Sequence, residues 1–195
     1  TTAEMLARLV SFDTTSRNSN AALIEYARDY LAGHGIEARV SLDAARGKAN
    51  LHALVGPSVA GGIALSGHVD TVPVDGQAWT GDPFTLREAG GRLVARGAAD
   101  MKGFVACMLA AVPRIKAMRL AKPVHLLVTH DEETTMAGAR RMVAELDAAP
   151  RPACCVVGEP TLMQPVLAHK GKLSLRVVVR GRPGHSSEPG KGVNA

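Results

Sequence analysis

The sequence predicts an α/β protein, a largely parallel sheet with helices on both faces. Two observations carry that expectation. Short apolar runs at 63–65, 124–129 and 153–157 read as buried strands, and they alternate with stretches whose apolar residues recur at helical spacing. The runs also lead into His, Asp or Glu at intervals of about 30 residues, the length of one strand-helix-strand unit. Parallel strands at that interval bring their carboxyl ends to one sheet edge, which is where open α/β sheets bind ligands.

Each element has its own signal. Thr1 and Glu4 have capping-box spacing, and Met5, Leu6, Leu9 and Val10 then line one helical face. Asp13, Thr14, Thr15 and Ser16, with Asn18 and Ser19, form a polar loop. A second amphipathic helix carries Leu23, Ala27, Tyr30 and Leu31 and stops at Gly33-His34-Gly35. Ile36, Ala38, Val40 and Leu42 alternate as a strand, Leu51, Ala53 and Val55 as another, and Gly61-Gly62 turns the chain into the strand at Ile63. Residues 71–92 are mostly loop, and 93–95 form a short strand ended by Arg96-Gly97. A helix from Met101 presents Phe104, Met108, Ala111 and Ile115 on one face, kinked or shortened by Pro113. Thr135 caps a helix carrying Ala139, Met142, Val143 and Leu146. Residues 173–179 alternate as a last strand and break at Gly181-Arg182-Pro183-Gly184. No internal repeat or low-complexity segment interrupts the series. The series stops at Asn194-Ala195 with no element to close it, as expected of a fragment.

Composition narrows the function classes. The 195 residues suffice for one domain or one and a fraction, and 46% hydrophobic with 21% charged residues allows a sizeable core. Aromatics at 3% argue against stacking platforms for single strands, and the Lys and Arg behind the net charge of +5 are scattered, so no nucleic-acid partner is expected. There is no signal-peptide pattern, and no apolar run reaches the roughly 18 residues of a membrane span. Cys107, Cys154 and Cys155 are odd in number and lie in apolar segments, which predicts free buried thiols and a cytoplasmic location.

The strand ends carry the chemistry. The strand at Ile63 leads to His68 and Asp70, 93–95 to Asp100, 124–129 to Asp131-Glu132-Glu133, and 153–157 to Glu159. Any one of these acids has an ordinary role as a helix cap or a first-turn acid. Gathered at one edge they would repel one another and take up protons unless divalent cations neutralised them. A His with carboxylates and no Cys suits zinc, or a similar ion such as cobalt or manganese. Asp70, two residues from His68, is placed to hold the second ring nitrogen. Glu132 and Glu133 are adjacent and cannot point the same way, so one can ligate while the other serves as general base.

Ser66-Gly67-His68-Val69-Asp70-Thr71-Val72-Pro73, Gly97-Ala98-Ala99-Asp100-Met101-Lys102-Gly103, Asp131-Glu132-Glu133, Gly158-Glu159-Pro160 and Gly184-His185-Ser186 resemble, in order, the signatures of the co-catalytic zinc amidohydrolases and exopeptidases. That family includes the acetylornithine deacetylases, succinyl-diaminopimelate desuccinylases and aminoacylases. Residues 79–84, 131–140, 158–166, 184–195 and His169-Lys170-Gly171 are most similar to the acetylornithine deacetylases.

The resemblance implies a mixed, largely parallel sheet in a catalytic domain over 1–171, and the start of a smaller α+β lid or dimerisation domain over 172–195. His68, Asp100 and Glu159 would hold one zinc ion. Asp100 would bridge to a second, which Glu133 also binds, and a cis peptide is implied at Asp100-Met101. Asp70 would orient His68. Glu132 would take a proton from water and pass it to the leaving amine, and His185 would help polarise the scissile carbonyl. The substrate would be an N-acyl amino acid, N2-acetyl-L-ornithine giving ornithine and acetate for arginine biosynthesis, in a homodimer joined through the lid. A desuccinylase, an aminoacylase or an inactive metal-binding fragment are the alternatives. The family completes the second ion with a His near the C-terminus of a longer chain, a position that His169 and His185 are too early to match.

Overall fold

The computed structural model describes residues 1–146, 150–171, 173 and 175–193. It divides into two compact units, Thr1–Pro160 and Thr161–Ala195. The lid boundary expected at Lys172 lies outside the described residues, as do Ser174, Asn194 and Ala195.

The first unit is built on a five-stranded mixed sheet. Helix α1 (Thr2–Val10) opens with the expected capping box, Glu4 N donating to Thr1 Oγ1 at 3.3 Å. Helix α2 (Ala21–Gly33) buries Leu23, Ile24, Ala27 and Leu31. Strands β1 (Ala38–Asp43) and β2 (Lys48–Val55) form a hairpin, and β3 (Ile63–His68) follows. The loop region expected over 71–92 contains β4 (Arg87–Ala89), which pairs with β5 (Arg92–Val94) in a separate two-stranded ribbon. Pro113 breaks the next helix as its ring requires: α3 (Lys102–Ala110) ends, and α4 (Val112–Lys116) restarts with Pro113 in its first turn, where an N–H is dispensable. Strand β6 (Val124–Thr129), helix α5 (Ala137–Leu146) and strand β7 (Cys154–Val157) complete the unit.

The sheet order is β1-β2-β6-β3-β7, with β3 parallel to both β6 and β7, and β2 antiparallel to β1 and β6. The period-two pattern of the strands divides the core. Leu51, Ala53, Leu126 and Val128 face the helices α1, α2 and α3, while Ala64 and Leu127 face Met142 of α5. Leu9, Leu51, Leu109 and Leu126 are fully buried, each contributing about 1.5–3 kcal/mol of transfer free energy.

Several expectations are corrected. In β1 the apolar residues face outward, with Val40 39% and Leu42 58% exposed, while Ser41 and Asp43 are buried. The buried face meets polar groups of α5: Ser41 Oγ bonds Glu145 and accepts from Arg141 Nε at 2.7 Å. Alternation gives the period of a strand, not which face is covered. On α3 the buried face is Val105, Ala106, Met108 and Leu109, with Phe104 only half-buried. Thr135 does not cap α5; its N–H and that of Met136 both return to Asp131 O in a tight turn, and the helix begins after Met136. Val143 on α5 is exposed.

Strand β7, expected to be buried, is exposed throughout; it lies at the edge of the sheet and pairs only with β3 among the described residues. All three cysteines are free as expected but exposed: Cys107 lies on the outer side of α3, and Cys154 and Cys155 on β7. In the second unit the described residues of 173–179 form no strand. A strand needs a neighbour for its backbone groups, and none pairs with them among the described residues. That unit contains a 3-10 turn, Pro189–Lys191, and an antiparallel bridge between Arg182 and Val193.

Candidate metal centre

Register alone sets most of the site. Thr129 of β6 pairs with His68 at the end of β3, so Asp131, Glu132 and Glu133 emerge just beyond it. Val157 of β7 pairs with Ser66, which brings Glu159, two residues on, level with His68. Asp100 arrives differently. It does not end a strand of the main sheet; it lies in the turn between β5 and α3, and the peptide joining it to Met101 is cis, as the resemblance implies.

Two glycines permit the approach. A Cβ on Gly67 would lie 2.8 Å from Val105 Cγ2, so α3 packs directly on β3 beside His68. A Cβ on Gly158 would lie 1.9 Å from Phe104 Cγ, so the turn before Glu159 lies flat against the same helix.

The His68 ring is the centre of the group. Its Nε2 is 3.1 Å from Asp100 Oδ1, 3.8 Å from Glu132 Oε2 and 3.7 Å from Glu159 Oε1. His68, Glu132 and Glu159 form one set of donor atoms that all lie within 4.8 Å of one another, and His68, Asp100 and Glu133 form a second. The ring is buried, while the Asp100, Glu132 and Glu159 side chains are 50%, 35% and 35% exposed, so the cluster is backed by protein and open on one side. The adjoining cleft, about 230 Å³, is lined by Val72, Ala95, Arg96 and Ala99 together with Asp100 and Glu133.

The other ring nitrogen shows how the sequence reading must be refined. Nδ1 lies 2.9 Å from the backbone carbonyl of Asp70 and 3.4 Å from its carboxylate, so the carbonyl is the closer partner. The carboxylate is occupied elsewhere. It accepts from Glu132 N (3.0 Å), Glu133 N (3.2 Å) and Ser16 Oγ (2.8 Å). Burial alone would raise Asp70, but the nearby His68 ring and the bonds from Ser16 and Glu132 outweigh it and hold the carboxyl below its usual range.

Charge shows what the site accepts. Burial opposes a charged His68 ring, yet the Asp70 hydrogen bond and the charges of Asp70, Glu132 and Glu159 raise it to about 9. Burial, and then the neighbouring Asp100 charge, push Glu133 up; burial and the charges of Asp100 and Glu132 do the same to Glu159. Crowded carboxylates that gather a proton onto an imidazole are equally a place for a cation. One nitrogen with carboxylate oxygens at these separations fits zinc or a related divalent ion.

Sequence reasoning missed the supports behind the site. The polar loop at Asp13–Ser16 runs along residues 69–71: Thr14 Oγ1 donates to Val69 O, Thr71 N to Thr14 O (3.1 Å) and Ser16 N to Thr71 O (3.0 Å). Lys102, fully buried, donates to Phe12 O at 2.8 Å, and burial draws its ammonium down to about 7. Lys48 and Asp131 form a buried ion pair behind Glu132. The run of Thr and Ser directly after an amphipathic helix was the available signal for the loop. No local pattern marked Lys48. His185, in the second unit, is exposed, with Nδ1 2.7 Å from Ser187 Oγ.

Comparison with known proteins agrees with this architecture. Residues 64–189 match the family described as Peptidase family M20/M25/M40. Human carnosine dipeptidase 1 shares 21% identity over 78% of this chain and 38% of its own, with a TM-score of 0.65. An M20 family metallo-carboxypeptidase from Sulfolobus solfataricus shares 20% over 80% and 37%, with a TM-score of 0.66. A tripeptidase from Staphylococcus aureus shares 18% over 98% and 52%, with a TM-score of 0.61. These likenesses show the fold, and the chain spans between 37% and 52% of those proteins' lengths. No helix among the described residues is long and apolar enough to cross a membrane.

Proposed function

Because the chain belongs to Peptidase family M20/M25/M40, we propose that it is the metal-binding part of an amidohydrolase that removes the acetyl group of N2-acetyl-L-ornithine. The observation that carries the hydrolytic reading is the convergence of Asp100, Glu132, Glu133 and Glu159 about the His68 ring. His68, Asp100 and Glu159 would hold one zinc ion, and Asp100 with Glu133 would hold a second. Bound there, the ions supply Lewis-acid polarisation of the amide carbonyl and lower the pKa of water. Glu132 takes the proton of the attacking water and returns it to the nitrogen as the amide bond breaks. Asp70 keeps Nδ1 of His68 engaged, so that Nε2 is directed at the carboxylates of Asp100, Glu132 and Glu159. His185, from a lid domain that also joins two subunits, assists the carbonyl.

The acetylornithine reading is supported by the similarity of residues 79–84, 131–140, 158–166 and 184–195 to the acetylornithine deacetylases. The test is a substrate panel on the full-length protein with added zinc or cobalt. N-acetylornithine should be hydrolysed in preference to N-succinyl-diaminopimelate and N-acetylmethionine. Turnover of only one of the latter two would overturn the substrate, and turnover of none would overturn the hydrolase.

A further inference from the structure

We propose that Lys48 is a positioning residue for this metal centre, closing a ring of contacts that holds the Glu132-Glu133 turn and the Asp70 carboxylate in one register. The inference rests on the reading of the site as a metal centre.

Lys48 is the first residue of β2, and no ligand lies next to it in sequence. Its side chain is 7% exposed and that of Asp131 6%. The ammonium bonds two groups at once, the Asp131 carboxylate and the Ser16 carbonyl. From Asp131 the chain passes directly to Glu132 and Glu133, whose N–H groups donate to Asp70 Oδ1 and Oδ2. From Ser16 the hydroxyl donates to the same Asp70 Oδ2 at 2.8 Å. The two arms therefore leave one ammonium and meet on one carboxylate.

Asp131 also needs an anchor. It is a non-glycine residue at φ 59°, a left-handed conformation that costs a residue bearing a Cβ more than it costs glycine and that contacts to its side chain help to hold. Arg46 Nε at 3.6 Å and His130 Nδ1 at 3.3 Å approach its other oxygen, but neither reaches Ser16 by any described contact. Lys48 alone joins both arms among the described residues. A pair serving only to tie β2 to β6 would have no need of the Ser16 carbonyl.

The experiment compares the full-length protein, stripped of metal with a chelator, with its Lys48→Met, Lys48→Arg and Lys48→Met/Asp131→Asn variants. Zinc is titrated by calorimetry, and Tm is read on each metal-free form. Lys48→Met leaves a buried carboxylate with less compensation and can fail to fold. The double variant removes that charge and keeps the test open. In it, zinc affinity should still fall about 10-fold or more, the range seen when supports of metal ligands are lost. Lys48→Arg, which keeps a charged donor, should recover most of that loss. Ser41→Ala, which opens the β1–α5 clamp away from the site, should lower Tm without moving zinc affinity. A double variant that binds zinc like the parent, with only its Tm changed, overturns the proposal and leaves the metal centre standing. A parent protein that takes up no zinc overturns both.

Discussion

The Oδ1 atom of Asp70 lies 3.0 Å from the backbone nitrogen of Glu132, so the residue whose carbonyl holds the His68 ring also fixes the turn that carries both glutamates. One side chain thus sets the distance between the nitrogen ligand and the acids on the neighbouring strand. Asp70→Ala would leave the N–H groups of Glu132 and Glu133 and the Ser16 hydroxyl without their acceptor. Zinc affinity should fall about 10- to 100-fold. Unmet buried donors should also cost about 1–3 kcal/mol of stability. Zinc calorimetry beside a denaturant titration checks both; affinity unchanged in a destabilised protein would make Asp70 a structural residue only.

Glu132 and Glu133 share a turn but not a donor set: Glu132 groups with Glu159, and Glu133 with Asp100. The geometry allows either to ligate, and it is the proposed function that gives ligation to Glu133 and proton transfer to Glu132. Glu132→Gln should retain metal and lose turnover by about 10²- to 10⁴-fold, the usual cost of a missing general base. Glu133→Gln should lose metal first. Elemental analysis beside kcat separates the two, and metal loss confined to Glu132→Gln would exchange their roles.

Gly158 is the residue before Glu159, and its N–H donates to Ser66 O at 3.2 Å, continuing the β3–β7 pairing. The Phe104 ring occupies the space of a Cβ. Gly158→Ala must move either the ring or the turn, at a cost of about 1–3 kcal/mol. If the turn moves, Glu159 withdraws from His68. Thermal unfolding with and without zinc should show a variant that is less stable and less stabilised by the ion. A Tm equal to the parent's in both conditions would mean that the ring simply rotates away.

The sequence made the parallel strand ends legible because period, length and terminal chemistry coincide there: His68, Glu133 and Glu159 could be placed on one edge before any coordinate. Asp100 was reached from the short strand at 93–95 as one more strand end, whereas that strand belongs to a separate two-stranded ribbon and Asp100 enters the site from the turn that follows it. The alternation in β1 marks a strand without saying which face is covered, because Ser41 and Asp43 are buried by Arg141, Glu145 and Arg46, residues distant in sequence or outside the strand. Lys48 was invisible for the same reason. Its partners Ser16 and Asp131 are separated from it by 32 and 83 positions, and an exposed lysine at a strand start would look the same in sequence.

A last prediction concerns acid stability and is independent of the metal. His52 of β2 and His125 of β6 stack on the α5 side of the sheet with ring centroids 5.4 Å apart and planes within 6° of parallel, Nε2 of one lying 3.2 Å from Nδ1 of the other. Burial, then the His125 and Arg39 charges, lower His52, and burial lowers His125. The unfolded chain therefore takes up protons near the ordinary histidine value of about 6.5, while the folded pair resists. The stability this pair contributes is fully present above about pH 6.5 and is lost as pH falls through the lowered folded values. His68 acts in the opposite direction in the metal-free protein, because its folded value is raised to about 9. A single pH series would therefore mix the two. His52→Gln removes one member of the pair and leaves His68 in place, so the difference between variant and parent isolates the stack. Between about pH 7.5 and about pH 5 the parent should lose more Tm than His52→Gln does, with the two curves converging toward acid. Parallel curves over that window would show that the pair titrates in the folded protein as it does in the unfolded chain.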